Sequence, residues 1–413
     1  MNITVFGVLW LSLLMVALFL KDFRYMLFCL IVSMTLQCVN VVTFSDSGVG
    51  PQVFTCAFFI FKSYLGSQGV SASRTKLTFY ASYLKLIIII FFLVAVLSIV
   101  INKLFDINTV MKIIQLGLYV YVFNRMMKIS TILTRDSIEK IILYVTYFTL
   151  VVGLIQFLTT TGVIPRLSII SELLYNEKKD NVYYYSDDYY RICSTFMEPS
   201  YYSVFLVGAF SYFSTKNFWN RHKLIFLPIV IELILTRSST GYIAFLGCVL
   251  INLFFNIKNK INRSIIMIGL ISIPFILIFG KDILDNVLFN KLNSGSAITR
   301  KWWNIGALND FKSSTIIGVG YKNSRGSSIF YSVLGQLGLL GCIFYILFNL
   351  VVITVYIKNK DTNLDLSGFS FAVVGAFICQ LIACPDLDLS PYWLFIFLLG
   401  GSFYLKSGDY NVK

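Results

Sequence analysis

Three arginines and one glutamate stand at positions in this sequence that suit the chemistry of phosphate esters. Arg191 and Glu198 lie close together, and Pro199 follows as a residue well suited to the first turn of a helix. Arg237 follows an apolar run, and Arg300 lies in a basic stretch. Guanidinium groups bind phosphate oxygens in pairs, and a carboxylate can accept a proton from a hydroxyl group. We therefore take Arg191, Glu198, Arg237 and Arg300 as the candidate catalytic residues.

Each of these side chains also has a simpler structural interpretation. A carboxylate beside the first turn of a helix is stabilised by the helix dipole, so Glu198 also fits an ordinary helix cap. Glu232 lies inside an apolar run, where an ionisable residue is either functional or paired. An ion pair of Glu232 with Arg237 or with Lys112 is as compatible with the sequence as a catalytic role.

A second group of residues suits the binding of a sugar phosphate. Tyr and Trp rings stack on sugars, an arginine binds phosphate, and a Gly-x-Gly segment allows close approach to the backbone. The candidate substrate-binding residues are Tyr189, Tyr190, Trp303, Gly318, Gly320, Tyr321 and Arg325.

The sequence predicts neither a metal site nor a cofactor. Seven of the eight cysteines lie in or beside apolar stretches, and Cys193 is the exception. No Cys-x-x-Cys and no Cys/His ligand spacing is present. The single histidine, His222, falls in a connection predicted to be cytoplasmic.

Composition determines which elements must position these residues. The chain has 413 residues, of which 57% are hydrophobic and 13% charged, with mean hydropathy +0.78. These values exclude a soluble globular protein and predict an all-α, polytopic integral membrane protein that forms a single domain over residues 1–413. Although the formal charge is +14, no soluble basic domain is present, so nucleic acid is not an expected partner.

About 11–14 transmembrane helices are expected, and thirteen apolar runs can be read: Ile3–Leu20, Tyr25–Phe44, Val49–Leu65, Phe79–Ile101, Ile107–Met127, Ile138–Thr160, Pro199–Thr215, His222–Thr236, Thr240–Ile257, Ser264–Gly280, Gly326–Ile357, Ser367–Cys384 and Pro391–Leu405.

Basic residues in the short connections predict the orientation. If the thirteen spans alternate, nineteen Lys and Arg residues fall on one side, while the short loops Ser45–Gly48 and Pro385–Ser390 opposite carry none. Because cytoplasmic loops are enriched in Lys and Arg, the N-terminus is predicted to lie outside the cell membrane and the C-terminus in the cytoplasm.

Two long connections, residues 161–198 and 281–325, are predicted to lie on the outer side of the membrane. Both contain clustered aromatic residues, which argues against disorder. The second loop carries seven basic residues against three aspartates. Such a cluster on the outer face suits an anionic substrate, although attraction to lipid headgroups is a competing explanation.

The order of these motifs resembles the bacterial O-antigen polymerase and O-antigen ligase superfamily. The resemblance covers roughly residues 140–405, and its motifs are short: Arg191…Glu198-Pro199-Ser200, Thr236-Arg237-Ser238, Arg300…Trp303…Gly318-Val319-Gly320 and Gly335…Gly338…Gly341. It implies a membrane glycosyltransferase whose substrate is an oligosaccharide carried on undecaprenyl pyrophosphate. It also implies a bacterial inner membrane, with the N-terminus and both long loops in the periplasm. By this resemblance the three arginines hold the pyrophosphate. Glu198 is either the base for the acceptor hydroxyl or a residue that orients an arginine.

The sequence departs from the ligases in one respect. Ligases often have a histidine shortly after the Gly-x-Gly, where this chain has Ser327, Ser328 and Tyr331. The resemblance therefore favours a polymerase of O-antigen or a related surface polysaccharide over a ligase. A lipid-linked sugar flippase or other transporter is the alternative from another class, although no internal repeat is visible. The lipid bilayer is an expected partner, and a chain-length regulator is left open as a further one.

Overall fold

The computed structural model describes residues 2–44, 47–65, 79–129, 134–164, 184–186, 189–215, 223–256 and 295–403. This part of the chain is almost entirely helical, in agreement with the predicted all-α class. Its helices are α1 (Val5–Phe19), α2 (Phe23–Thr35), α3 (Pro51–Leu65), α4 (Phe79–Ile101), α5 (Ile107–Ile129), α6 (Arg135–Thr160), α7 (Pro199–Phe213), α8 (Phe226–Leu235), α9 (Ser239–Asn256), α10 (Gly295–Ser313), α11 (Ile329–Asn359), α12 (Leu364–Ile382) and α13 (Ser390–Ser402).

Four of these helices, α4, α6, α11 and α12, are long and apolar enough to cross a membrane. Helices α1, α2, α8 and α9 are also apolar but shorter. The predicted span Ser264–Gly280 and His222 lie outside the described residues, as do parts of both long loops. Helix α10 lies in the second long loop, where no helix was predicted.

Two small antiparallel sheets were not predicted either. Strand β1 (Asn2–Ile3) pairs with β2 (Val42–Phe44), and β2 pairs with β3 (Ser47–Val49). In the first long loop, β4 (Tyr184–Ser186) pairs with β5 (Tyr189–Arg191), and Tyr184 lies opposite Arg191. This hairpin places Arg191 at the end of a strand, a few residues before α7 begins.

The core of the described bundle is formed by α7, α12 and α13. All thirteen residues of α13 are buried, and so is every residue of α7 except Ser200. Helix α12 packs most extensively on α7 and α11. These three helices are therefore covered by protein on nearly all sides, whereas α4 and α6 keep exposed apolar faces.

Most connections predicted to be external meet at one end of the bundle. Gln37 donates a backbone hydrogen bond to the Thr195 carbonyl (3.0 Å), and its side-chain amide donates to Ser390 Oγ (2.8 Å). Asn102 Nδ2 donates to the Gly318 carbonyl at 3.1 Å. We call this the loop end, and it is formed by residues 36–44, 102–106, 189–198, 236–239, 314–328 and 383–389.

Connections predicted to be cytoplasmic meet at the opposite end. Lys62 Nζ donates to the Ala17 carbonyl at the C-terminus of α1 (2.5 Å), where a cation is favoured by the helix dipole. Arg135 and Asp365 form an ion pair with a separation of 2.8 Å, and Lys360 Nζ donates to the Phe255 carbonyl at 2.7 Å. The contacts thus agree with the predicted division of the loops into two sides.

Helix α11 is broken at Gly338, whose φ of 62° and ψ of −158° are not helical. The segment that contains Gly318 lies against the break and forms backbone hydrogen bonds to both sides of it. Val319 N donates to the Gly335 carbonyl (2.9 Å), and Leu339 N donates to the Thr315 carbonyl (2.9 Å). The backbone groups freed by the break are therefore satisfied by the neighbouring loop.

Candidate functional site

Two of the predicted arginines are neighbours at the loop end. Arg191 Nε donates to the Thr236 carbonyl at 3.1 Å, and Ile192 N donates to the Leu235 carbonyl at 3.3 Å. The end of β5 is thereby tied to the turn between α8 and α9, where Arg237 follows Thr236. Both guanidinium groups are close enough to the Tyr242 hydroxyl to act on it electrostatically.

Glu198 precedes α7, but its carboxylate does not cap the helix. The side chain forms no capping hydrogen bond to the backbone of α7 and instead accepts one from Ser200 Oγ at 3.0 Å. The pKa of the nearby Cys193 thiol is raised to about 11, mainly by burial. Glu198 adds to this rise, whereas Arg191 opposes it. Glu198 is half-buried, and both Glu198 and Arg191 are within electrostatic range of Cys193.

Arg300 reaches the same place from a third direction. It lies on α10 and is half-buried. Burial raises the pKa of the Cys384 thiol; Glu198 raises it further, whereas Arg300 opposes the shift. Glu198 and Arg300 are thus both within electrostatic range of Cys384, and Glu198 and Arg191 are within range of Cys193. Arg237 follows Thr236, which accepts from Arg191, so the four predicted catalytic residues lie at the same end of the bundle.

The strongest ion-pair network at this end joins residues that the sequence did not single out as a site. Lys322 Nζ lies 3.0 Å from Asp386 Oδ1 and 2.7 Å from Asp388 Oδ1, and Lys112 Nζ lies 3.4 Å from Asp388 Oδ2. Asp386 also accepts a hydrogen bond from the Tyr201 hydroxyl. Only 5% of the Asp388 side chain is exposed, but 32% of the Asp386 side chain is. Asp386 is thus the carboxylate of the pair that a substrate can reach.

The network fixes the charge of its members. Burial raises the pKa of Asp388, but the ammonium groups of Lys322 and Lys112 outweigh this effect and hold the pKa below its ordinary value. For Lys322, burial lowers the pKa, and the two aspartates outweigh it and raise the pKa. Both side chains are therefore charged at neutral pH.

The predicted substrate-binding residues are divided between several roles. Arg325 stacks on the Trp303 ring, with 4.6 Å between the guanidinium carbon and the ring centroid. Tyr321 is fully buried and donates its backbone N–H to Ser98 Oγ at 3.1 Å, while its hydroxyl has no hydrogen-bond partner in the described structure. Tyr189 and Tyr190 lie in β5 beside Arg191.

Gly318 and Gly320 make their close approach to the protein itself. A Cβ atom on Gly318 would lie 2.4 Å from the Gln336 carbonyl carbon, and one on Gly320 would lie 2.2 Å from Leu104 Cδ1. Both have positive φ, 76° and 110°. These glycines therefore shape the loop against α11 and the end of α4.

Glu232 forms neither of the two ion pairs considered from the sequence within the described residues. Its carboxylate accepts a hydrogen bond from the Tyr202 hydroxyl, and it lies against Gly153 of α6. Lys112 pairs with Asp388 instead. Among the described residues, no group of three His, Cys, Asp or Glu side chains would hold a metal ion.

Unfavourable backbone conformations are concentrated at the loop end. The described non-glycine residues with positive φ are Lys103, Ser194, Arg237, Lys322 and Cys384. Each such residue costs about 1–3 kcal/mol and persists only when its surroundings hold it, which is common at functional sites. One of them, Arg237, is a predicted catalytic residue, and Lys322 is the centre of the ion-pair network.

A signal for the missed residues was present in the sequence. The loop Pro385–Ser390 lacks Lys and Arg, yet it contains two aspartates in a charge-poor region. Lys322 is one of seven basic residues in the second long loop, and nothing local distinguishes it from the others.

The arrangement as a whole has five basic side chains against three carboxylates, held on separate segments at one end of an apolar bundle. It suits an anion with several oxygens and a neighbouring hydroxyl group. No protein-family model matches the chain, and no curated protein matches it significantly.

Proposed function

We propose that this chain is a polytopic membrane glycosyltransferase of the O-antigen polymerase type. Its substrate is an oligosaccharide repeat unit carried on undecaprenyl pyrophosphate, and its product is a longer O-antigen or related polysaccharide. The observation that carries the proposal is the meeting of Arg191, Arg237, Arg300 and Glu198 at one end of an apolar helical bundle. Guanidinium groups bind phosphate oxygens in pairs, so such a set suits a diphosphate.

In the proposed reaction, the arginines bind the pyrophosphate and stabilise the charge that develops as it leaves. The bond between the anomeric carbon and the phosphate oxygen breaks, and a bond from that carbon to an acceptor hydroxyl oxygen forms. The hydroxyl proton passes to a carboxylate, and undecaprenyl pyrophosphate is released. Each arginine then contributes about 3 kcal/mol to lowering the barrier, in line with other electrostatic contacts to a developing anion.

Two carboxylates are candidates for the proton acceptor. Glu198 was predicted from the sequence, and its side chain is half-buried near Arg191 and Arg300. Asp386 is more strongly tied, because it accepts from Tyr201 and pairs with Lys322. Because Asp386 is already held by these two partners, we assign the proton to Glu198 and the positioning of the acceptor to Asp386.

The surroundings of Asp386 and Asp388 are apolar. A small apolar pocket beside Leu387 is lined by Phe91, Tyr345, Tyr392 and Trp393, among others. The polar groups of its lining are internally bonded; for example, Tyr392 donates to Asn349 Oδ1 at 2.8 Å. We propose that about 11–14 helices span the bacterial inner membrane, with the loop end in the periplasm.

The break in α11 is the feature that most resembles a transporter, because broken helices bind substrates in many transporters. Those breaks lie near the bilayer midplane, whereas Gly338 is only nine residues after the start of α11. Its freed backbone groups are also bonded to residues 315–320. This location favours a structural role for the break and the enzyme over the transporter.

The test is reconstitution of the purified chain with undecaprenyl pyrophosphate-linked repeat units, followed by separation of the glycans by length. Arg191→Ala, Arg237→Ala and Arg300→Ala are each expected to lower the rate of polymer formation about 100-fold, corresponding to roughly 3 kcal/mol. Arg24→Ala is the matched control, because Arg24 is exposed at the opposite end of the bundle and pairs only with its neighbour Asp22.

Two results would contradict the proposal. Full polymer length in all three loop-end variants would remove the pyrophosphate role of the arginines. Movement of the lipid-linked sugar across vesicles without any glycan ladder would instead favour a flippase.

A further inference from the structure

Helix α10 has an exposed face that combines apolar, aromatic and basic side chains. Ile298, Trp302 and Ile305 follow the helical repeat and are 53%, 66% and 38% exposed. Lys301 and Lys312 are exposed beside them. The buried side of the helix is formed by Ala307 and neighbouring half-buried residues, so one face is covered by protein and the other is not.

The break in α11 indicates the depth at which α10 lies. The part of α11 after Gly338 has about 21 residues and a length of roughly 31 Å, which matches the hydrocarbon thickness of a bilayer. The part before Gly338 then lies above the hydrocarbon, at the level of the lipid headgroups. If the chain spans the membrane as proposed, the elements beside this first part of α11 lie at the same level.

Helix α10 lies beside that first part. A Cβ atom on Gly335 would lie 3.2 Å from the Ala307 carbonyl oxygen, so the two helix backbones are in close contact there. Asn304 Oδ1 accepts a hydrogen bond from Ser327 N, just before α11 begins, at 2.8 Å. These contacts hold the middle of α10 at the headgroup level.

The composition of the exposed face fits that level better than either water or hydrocarbon. Tryptophan is enriched at membrane–water interfaces, where its ring is apolar and its N–H remains accessible to water. Lysines on such a helix extend their ammonium groups towards anionic lipid phosphates. With four charged residues, α10 is too polar to cross the membrane, and the exposed Trp302, Ile298 and Ile305 are poorly suited to water.

We propose that the exposed face of α10 lies in the outer interfacial layer of the bilayer and binds anionic phospholipid headgroups through Lys301 and Lys312. The partner is the lipid surface, which is a separate ligand from the oligosaccharide substrate. This inference rests on the membrane-spanning part of the proposed function and is independent of the glycosyl transfer. Because Arg300 is on the side of α10 that faces the protein, lipid binding would also fix the depth of that arginine.

The test uses environment-sensitive fluorophores on single introduced cysteines. All eight native cysteines are buried, so introduced surface cysteines can be labelled selectively. Trp302→Cys and Ile298→Cys report on the proposed lipid face, and Asn323→Cys reports on an exposed loop at the same end. Leu350→Cys, whose residue is 51% exposed on α11 after the break, reports on the hydrocarbon.

In vesicles of phosphatidylcholine and phosphatidylglycerol, the labels at 302 and 298 are expected to be quenched by a shallow lipid-bound nitroxide. An aqueous quencher should act on them several-fold more slowly than on the label at 323. Vesicles with phosphatidylglycerol should shield these labels from the aqueous quencher better than vesicles of phosphatidylcholine alone. Replacing Lys301 and Lys312 with glutamine should remove this difference in quenching.

Aqueous quenching at 302 and 298 as fast as at 323 would overturn the inference. If the label at 350 is still quenched by deep lipid nitroxides, the membrane span stands and only the lipid role of α10 fails. The label at 302 could also remain shielded from the aqueous quencher in detergent, to an extent that rises with protein concentration. That result would indicate contact with a second copy of the chain and would equally overturn the lipid assignment.

Discussion

Lys322 lies between two carboxylates in a left-handed backbone conformation, with φ of 65°. Such a conformation is unfavourable for lysine, and the loop maintains it through the two ion pairs and the hydrogen bond from Lys322 N to Gln336 Oε1 at 3.1 Å. Because Asp388 is buried, its charge depends on Lys322 for compensation. The side chain therefore joins residues 314–328 to residues 383–389.

Removal of the Lys322 ammonium group should destabilise the protein. We expect Lys322→Met to lower the free energy of unfolding by about 3–5 kcal/mol, because it leaves a buried carboxylate poorly compensated. Thermal unfolding in detergent measures the effect. Lys312→Met is the control, since Lys312 is exposed on α10, and it should change the stability by less than about 0.5 kcal/mol. Equal melting temperatures for Lys322→Met and Lys312→Met would contradict the assignment. Adding Asp388→Asn to Lys322→Met should recover part of the lost free energy of unfolding.

The same pair predicts how stability responds to pH. The pKa of Asp388 is below its ordinary value of 3.8, so its contribution is present above pH 3.8 and is lost as the pH falls through the lowered pKa. The pKa of Lys322 is above its ordinary value of 10.5, so its contribution is present below pH 10.5 and is lost as the pH rises through the raised pKa. Other groups face the pair and influence the pH at which each contribution to stability is lost. These groups are Lys112, Asp386 and the hydroxyls of Tyr201 and Tyr321.

We therefore expect the difference in melting temperature between the wild type and Asp388→Asn to be constant from about pH 5 to 9. Below about pH 3.8 the difference should shrink, because the unfolded wild-type chain then binds a proton at this carboxylate while the folded protein still keeps it ionised. Melting curves of both proteins over this range provide the measurement. A difference that changes steadily near neutral pH would show that another titrating group dominates.

At the scale of single elements, hydropathy predicted the long helices well and the ends of others poorly. The run Phe79–Ile101 coincides with α4 at both ends. The run Tyr25–Phe44, in contrast, contains α2 only as far as Thr35. The β-branched residues that follow favour extended backbone, and Val42 pairs there with Ile3. An apolar run does not by itself distinguish a helix from a strand that caps the end of a bundle.

The break in α11 and helix α10 could not be predicted because neither follows from hydropathy. The run Gly326–Ile357 is apolar across Gly338, so it reads as one uninterrupted span. A glycine in an apolar helix usually remains helical. The distortion here depends on the neighbouring loop, which forms hydrogen bonds to α11 between residues 16 to 24 positions apart.

The two glycines that meet at the break provide a prediction for these elements. Gly318→Ala and Gly338→Ala should each destabilise the protein by about 2 kcal/mol or more, because both require positive φ and a Cβ would strike a neighbouring backbone. Gly306→Ala is the matched control, since a Cβ there meets nothing within 4 Å. It should stabilise α10 by about 0.5–1 kcal/mol. Equal melting temperatures for all three variants would contradict the role of the break.

At the scale of the whole molecule, alternating spans predicted which loops lie together. Arg191 and Arg237 are far apart in the sequence, yet both were predicted to be at the external ends of helices, and the structure brings them together. The contact of Lys322 with Asp386 was not predictable in the same way. The residues are 64 positions apart, and sidedness alone does not specify which partner a charge selects.

The orientation of the two ends relative to the cell has a direct test. We expect Asn323→Cys, at the loop end, to react with an impermeant thiol reagent in spheroplasts of an expressing bacterium. Thr362→Cys, exposed at the opposite end, should react only after the membrane is opened. The wild-type protein serves as the control because its native cysteines are buried. The reverse pattern would invert the topology and place the arginines in the cytoplasm.

The complete burial of α13 has a consequence for biosynthesis. Helices normally leave the ribosome and enter the membrane in order of sequence, and α13 follows all the other described helices along the chain. The helices that surround α13 are therefore synthesised before it, as are Lys112 and Lys322. Asp386 and Asp388 follow in the segment that leads into α13, so the two lysines acquire the carboxylates that balance their charge only near the end of the described part of the chain.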